Sequence, residues 1–258
     1  MGLGLLLFLA AVALAAEQIA PANPFTTSPQ DVLLAPSVSH PMGTDQLGRD
    51  IFTGVVRGAR TSLRIVAGVV VIASAVGLLV GTVTGLRGGL LDDLVMRITE
   101  TVQAVPRFLL TILVTGWFGV GATTVAVLLG LTSWPLLART VRAETLSLAR
   151  REFVDAARSH GATGAVILFR HVVPSVWPGA VVVMALIASR IVLLEAGLAF
   201  LGLSDPNAAS WGALVNNAGS YLDRAWWMSV FPGAAIALTV AAFNLLADAL
   251  GATVDDQS

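Results

Sequence analysis

Lysine and cysteine are both missing from the 258 residues, and charge of either sign is scarce. Charged side chains make up 12% of the chain, where soluble domains average about 25%. Without cysteine there is no disulfide scaffold. Basic residues number 15 against 16 acids, for a formal net charge of −1, which excludes a basic nucleic-acid binder. Without lysine no G-x-x-x-x-G-K-[ST] phosphate loop can be written, so any ATP hydrolysis belongs to another chain. What is abundant is apolar: 56% of residues, with a mean hydropathy of +0.83. An ordinary water-soluble globule and a disordered chain are thereby excluded, and a polytopic membrane protein remains. At ~20 residues per span the apolar content allows roughly five to seven helices.

Six stretches can span. Leu3–Ala16, extendable to Ala20, is short. It is expected as a retained first span; a signal peptide is the rival reading, because Ala13-Leu14-Ala15 resembles a cleavage site although no positive charge precedes the segment. Ile65–Leu86 is uncharged and long enough alone. Phe108–Ala138 is too long for one helix and too short for two, so Gly116–Gly121 reads as the turn between the third and fourth spans. The third must then begin upstream, in Leu90–Val105, with a kink at Pro106. Asp92, Asp93 and Arg97 are expected near the membrane surface and Glu100 deeper. The fifth and sixth spans are Val176–Leu203 and Met228–Ala247. The chain divides into a first membrane helix (1–20), an external loop with a short helix (21–64), a core with five membrane helices and a polar loop at about 147–175 (65–250), and a tail (251–258).

Arginine placement sets the orientation. Six arginines (Arg139, Arg142, Arg150, Arg151, Arg158, Arg170) fall in 139–170, against Arg224 alone in 204–227. The first segment is expected inside and the second outside, which places both termini in the cytoplasm. Arg49, Arg57, Arg60 and Arg64 then lie outside, against the rule. Pro21–Pro41, with five prolines, reads as an extended external loop.

Arg150–Pro174 is polar and longer than a connector needs. Glu152, Asp155, Ala156 and Ser159 share one face of a short helix. Ala156 and Ala157 keep that helix thin, and Gly161 is a natural stop. A second piece, Ala162–Val172, is expected to end at Pro174 and feed the fifth span. Spacing alone leaves two readings open, an amphipathic helix on the membrane surface or a docking helix for a soluble partner.

The pattern Glu-x-x-(Asp/Glu)-Ala-Ala, a Gly four residues after the second Ala and a hydrophobic-Pro ending resembles the EAA loop of ABC importer permeases, on Glu152, Asp155, Ala156, Ala157, Gly161 and Pro174. Asp155 stands where the family more often has Glu. The resemblance continues, in order, through His40–Phe52, Gly58–Leu63, Ser133–Arg158, Leu193–Leu203, Ser210–Gly212, Ala225–Trp227 and Phe231–Leu250, and is to the second, C-type permease of the dipeptide/oligopeptide/nickel subfamily. The sequence departs from that family in an almost absent N-terminal tail, a shorter loop from Leu203 to Ser210, and an end soon after the last span.

The resemblance implies an all-α, six-span type I ABC importer permease fold with a cytoplasmic EAA coupling helix, in a bacterial or archaeal cytoplasmic membrane. It implies half of a translocation pathway for di- or oligopeptides, or for nickel or another small solute. The partners it implies are a homologous B-type permease, one or two ATP-binding subunits, an extracytoplasmic substrate-binding protein and membrane lipid, with no nucleic acid. ATP and Mg²⁺ would sit on the partner subunits, and this chain is expected to hold no cofactor, metal or catalytic site.

Arg190 and Glu195 lie within the fifth span at i and i+5, poorly spaced for pairing on one helix. They are read either as structural contacts to other helices or as lining of the substrate path. Asn244 and Asp248 are expected to hydrogen-bond between helices. Asp45, Arg49 and Asp50 read as a charge network that starts an external helix, capped by Thr44 or Asp45. Ala225–Trp227 fits an aromatic belt. His40, His160 and His171 are too dispersed for a metal site. An intramembrane enzyme would need a nucleophile or an acid pair, and only Glu100 and Glu195 are available. A lone secondary transporter is compatible with Arg190 and Glu195 but leaves Arg150–Pro174 unexplained.

Overall fold

The computed structural model describes residues 1–151 and 163–255. Ten α-helices are found among the described residues: α1 (Gly2–Leu14), α2 (Ala16–Ile19), α3 (Ile51–Arg87), α4 (Gly89–Ala104), α5 (Arg107–Phe118), α6 (Ala122–Ala149), α7 (Gly164–Ile167), α8 (Val173–Phe200), α9 (Trp211–Ala218) and α10 (Trp227–Asp255). Four of these, α3, α6, α8 with the turn before it, and α10, are long and apolar enough to cross a membrane. A fifth span exists only as the pair α4 and α5, bent by 79° at their break. The 13 residues of α1 are fewer than a straight crossing needs. The six expected spans are thus four full helices, one broken pair and one short helix.

The breaks follow from local chemistry. Pro106 has no N–H to extend the ladder, and α4 stops at Ala104 while α5 restarts at Arg107. Gly119, at φ +83°, makes the expected turn into α6 in a backbone region that side chains resist. The return toward α8 differs from expectation, because helix does not end at Pro174. Leu168–Val172 forms a π turn, Val173 N–H bonds to the Leu168 carbonyl five residues back, and Pro174 sits in the first turn of α8. Proline cannot donate to the ordinary ladder, and the widened turn lies directly upstream of it. The sixth span also continues as helix past Ala247, to Asp255.

α3 differs most from its expected bounds. It begins at Ile51, not Ile65, and runs unbroken for 37 residues. What read as a separate external helix is its first third. The apolar run hides this because residues 51–64 carry arginines whose partners are remote in sequence. Arg57 and Arg60 both pair with Glu17, and Arg57 Nε donates to the Ala20 carbonyl at 2.9 Å.

α3 and α6 form the most extensive helix pair. Gly77, Gly81 and Gly85, spaced i, i+4, i+8, let the two backbones close. A Cβ on Gly81 would stand 2.6 Å from the Ala138 carbonyl oxygen, and one on Gly85 would stand 2.6 Å from Thr145 Cβ. α8 completes the core through Val176, Ala188, Ile191 and Val192, which join Val69, Leu137 and Val141 in one buried cluster. α10 packs along α8, and α1 along α10.

Candidate functional site

Glu152, Asp155, Ala156, Ala157 and Gly161 lie outside the described residues. The two ends from which that segment hangs are described. Its entry is the end of α6, where Thr145 abuts Gly85 of α3. One turn earlier, Arg142 grips Asp92 of α4 with two nitrogens, each 2.5 Å from a carboxylate oxygen. Asp92 is buried against α6 through this pair. Glu100 pairs with Arg139 at 3.5 Å. Two arginines of the 139–170 cluster therefore face acids of α4; they still count toward orientation, which follows arginine number and not net charge. Glu144 lies against α8, its Cδ 3.0 Å from where a Cβ on Gly179 would stand. The exit from the segment runs through Ile167, Val172 and Val176, all buried in the main cluster, with Pro174 between them. Both described ends are seated in one close-packed core.

The structure separates Arg190 from Glu195. They point about 140° apart around α8. Glu195 is 3% exposed and is enclosed by α3 and the start of α9, where the Ser62 and Ser210 hydroxyls hydrogen-bond its carboxylate. Trp211 N–H reaches Ser62 Oγ at 3.5 Å, and Ser210 also caps α9 by accepting from Ala213 N–H. This is the geometry of a contact between helices. Arg190 lies on the opposite, open face of α8, among exposed Leu193 (55%) and Phe200 (49%). Arg107, the first residue of α5, is within electrostatic reach of it. Sequence reading passed over Arg107; the signal was a lone charge directly after a proline break, at the edge of a long uncharged run.

The far end of the bundle is a hydrogen-bonded cap. Asp50, not Thr44 or Asp45, caps α3, its carboxylate accepting from Thr53 N–H at 2.8 Å. Asp45 instead accepts from the N–H groups of Leu47 and Arg49, both at 2.8 Å, and Thr44 accepts from Leu34 N–H at 2.8 Å. Trp227 is buried and its indole donates to the Thr44 carbonyl at 3.0 Å, so of Trp226 and Trp227 only the exposed Trp226 suits an aromatic belt. The Arg49 guanidinium stacks 5.7 Å above the Phe25 ring. Arg49, Arg57 and Arg60 are thus committed to contacts within the cap. Phe25, Asp45, Arg49, Asp205 and Asn217 line a cavity of about 210 Å³ that opens at this end. Asn244 and Asp248 do not bridge helices as expected; both are exposed and neither makes a side-chain hydrogen bond to a described residue. A helix face at i, i+4 fixes their common side, not what lies opposite it.

Residues 77–257 match the family described as binding-protein-dependent transport system inner membrane component. The chain is 36% identical over 256 residues to the dipeptide transport system permease protein DppC of Bacillus subtilis, covering 98% of this chain and 80% of that protein. It is 35% identical over 243 residues to the nickel transport system permease protein NikC of Escherichia coli K12, covering 94% of this chain and 88% of that protein. Among solved structures it is similar in fold to the MetNI methionine ABC transporter in an inward-facing form. That likeness has a TM-score of 0.65 at 19% identity and covers 79% of this chain and 97% of that one.

Proposed function

The chain belongs to the family of binding-protein-dependent transport system inner membrane components, and from that membership we propose that it forms the C-type half of a translocation pathway for di- or oligopeptides. It is a multi-pass permease subunit of an ABC importer of the dipeptide/oligopeptide/nickel type, working with ATPase and substrate-binding partners. In this reading a homologous B-type permease supplies the second wall. One or two ATP-binding subunits hold ATP and Mg²⁺, and this chain holds neither. An extracytoplasmic protein delivers the solute. Both termini and the 150–174 loop face the cytoplasm.

One observation carries the coupling role. The polar segment after Arg150 leaves α6 beside the Arg142–Asp92 pair and returns through Ile167 and Val172 into the same core. Glu152 and Asp155 would make charge-assisted contacts with a groove of the ATPase, and closure of that ATPase would drag α6 and α8. The test is Glu152→Lys and Asp155→Lys in the assembled importer. Membrane insertion and ATP hydrolysis are expected to persist while uptake is lost. Wild-type uptake in both variants would end the docking role.

A second reading is a permease of the same type for nickel or another small solute, favoured by the near-equal identity to the nickel and dipeptide proteins. Co-purification of the tagged chain from mild detergent, with identification of the binding protein retained, separates the two.

A further inference from the structure

We infer that the cavity at the cap end of the bundle is a binding site for a small zwitterion, an unblocked dipeptide, whose carboxylate is received by Arg49 and whose ammonium is received by the free carboxylate oxygens of Asp45 and Asp205. The choice of a peptide rests on the importer reading above, which places this end on the side from which the solute arrives.

The cavity measures about 210 Å³. That is below the roughly 300–1,000 Å³ of pockets that hold drug-sized ligands, so its occupant is small. Its two walls come from distant parts of the chain, residues 24–54 and 204–217. The walls are tied together beside the cavity. The Trp211 indole donates to the Val55 carbonyl at 2.9 Å, and the Leu214 side chain packs on Gly54, 3.1 Å from where a Cβ would stand. The space is thus built into the fold and is present before a ligand enters it.

Its charges are unspent. The Arg49 guanidinium makes no hydrogen bond and no ion pair to a described residue, and its Nε is enclosed without a partner. What it touches is the face of the Phe25 ring, at 5.7 Å, which sets its plane and leaves its N–H donors unused. Asp45 is 3% exposed, and one of its oxygens accepts from the N–H groups of Leu47 and Arg49. Asp205 also uses one oxygen, on Asn207 N–H at 2.9 Å. The second oxygen of each acid has no partner among the described residues. Asp50 lines the same cavity, but its carboxylate is taken by His40 and Thr53.

One guanidinium and two carboxylate oxygens therefore share a small cavity without pairing with one another. Backbone hydrogen bonds hold the acids in their turns and the ring holds the guanidinium, so the two signs stay apart. A ligand that carries both signs satisfies them together. A planar guanidinium takes a carboxylate in two-pronged fashion, and a carboxylate accepts a charge-assisted hydrogen bond from an ammonium. An unblocked dipeptide brings one group of each kind, and Ala208, Ala209 and Ala213 in the wall leave room for short side chains. With two carboxylates against one guanidinium, the ammonium is the more firmly held end.

The test is equilibrium binding to the assembled membrane complex in nanodiscs, without the binding protein. The probes are radiolabelled dialanine, dialanine C-terminal amide and N-acetyl-dialanine. The wild type is expected to bind dialanine saturably, the amide about tenfold more weakly, and the acetylated peptide more weakly still. Arg49→Gln should weaken dialanine about tenfold and leave the amide unchanged. Asp205→Asn should weaken dialanine and the amide alike, about tenfold, and leave the acetylated peptide unchanged. A loss of structure would weaken all three probes together. Arg49→Lys is expected to recover most of the dialanine binding. If Arg49→Gln does not assemble with its partners, Asp205→Asn in the opposite wall decides the matter alone. Absence of saturable dialanine binding by the wild type, equal binding of the three probes, or binding that neither variant alters would each overturn the inference. ATP-driven dialanine uptake by the same complex with its binding protein restored would then leave the importer reading standing. Uptake of nickel(II) with refusal of dialanine would overturn the peptide reading and the inference with it.

Discussion

The seam between α3 and α6 and the face formed by α5 and the outer side of α8 are built from similar apolar sequence and behave oppositely. The seam is closed. Gly77, Gly81 and Gly85 bring backbone against backbone, and Leu137 and Val141 fill what is left. The outer face is open. Leu109, Leu113, Leu193 and Phe200 are exposed, and no neighbour is found where a Cβ on Gly116 would stand. Hydropathy does not distinguish the two, because lipid tails are as apolar as a helix interface. Small residues at four-residue spacing do distinguish them. The closed seam gives the permease a stiff body.

The largest effect should come from breaking the buried pair that ties α4 to the closed side. Arg142→Leu leaves Asp92 buried without a counter-charge and should cost about 3–5 kcal/mol, read as loss of folded protein in detergent melting curves. The double variant with Asp92→Leu should recover most of that stability. A double variant as unstable as the single would show that the pair does more than neutralise itself.

Gly81→Ala should cost roughly 1–3 kcal/mol, since the new methyl meets the Ala138 carbonyl. Gly116→Ala, on the open side, should change stability by less than about 0.5 kcal/mol or raise it slightly through helix propensity. Equal melting temperatures for the two variants would erase the distinction between seam and face. An effect smaller than at the seam is expected at the cap, where Asp50→Ala should cost about 1 kcal/mol and Asp50→Asn less, because amide and carboxylate oxygens both accept from Thr53 N–H.

Sequence reading located the helix breaks well and the helix faces poorly. Pro106 and Gly116–Gly121 are punctuation, and backbone chemistry fixes their meaning without neighbours. The extent of α3 was hidden because Arg57 and Arg60 read as loop charge until Glu17 and the Ala20 carbonyl are seen beside them. Trp227 read as belt because an indole at a span end is ordinarily interfacial; its burial depends on the Thr44 carbonyl, 183 positions away. Arg190 and Glu195 were both legible as costly charges in a span, but which one turns inward depends on helix rotation, and periodicity in a nearly all-apolar helix does not report it. The glycine triplet at i, i+4, i+8 was legible and went unread. The expected docking segment rests on its resemblance to the EAA loop, and Glu152 and Asp155 stand outside what the structure describes.

α3 has one further consequence. At 37 residues it is about 55 Å long, nearly twice the hydrocarbon thickness, and no proline interrupts it. Its first turn belongs to the cap through Asp50, and its last turns are clasped by α6 at Gly81 and Gly85. Contacts run between these ends as well, from Trp211 at Gly58 through Ile72 at Gly130, so the rod is held as part of the body. A tilt of 10° over its length would displace one end against the other by about 10 Å, so the rod tilts only with the helices packed along it. The two ends of the bundle are thus joined by one unbroken helix, and a change of its angle at one end is felt at the other without a relay of side chains.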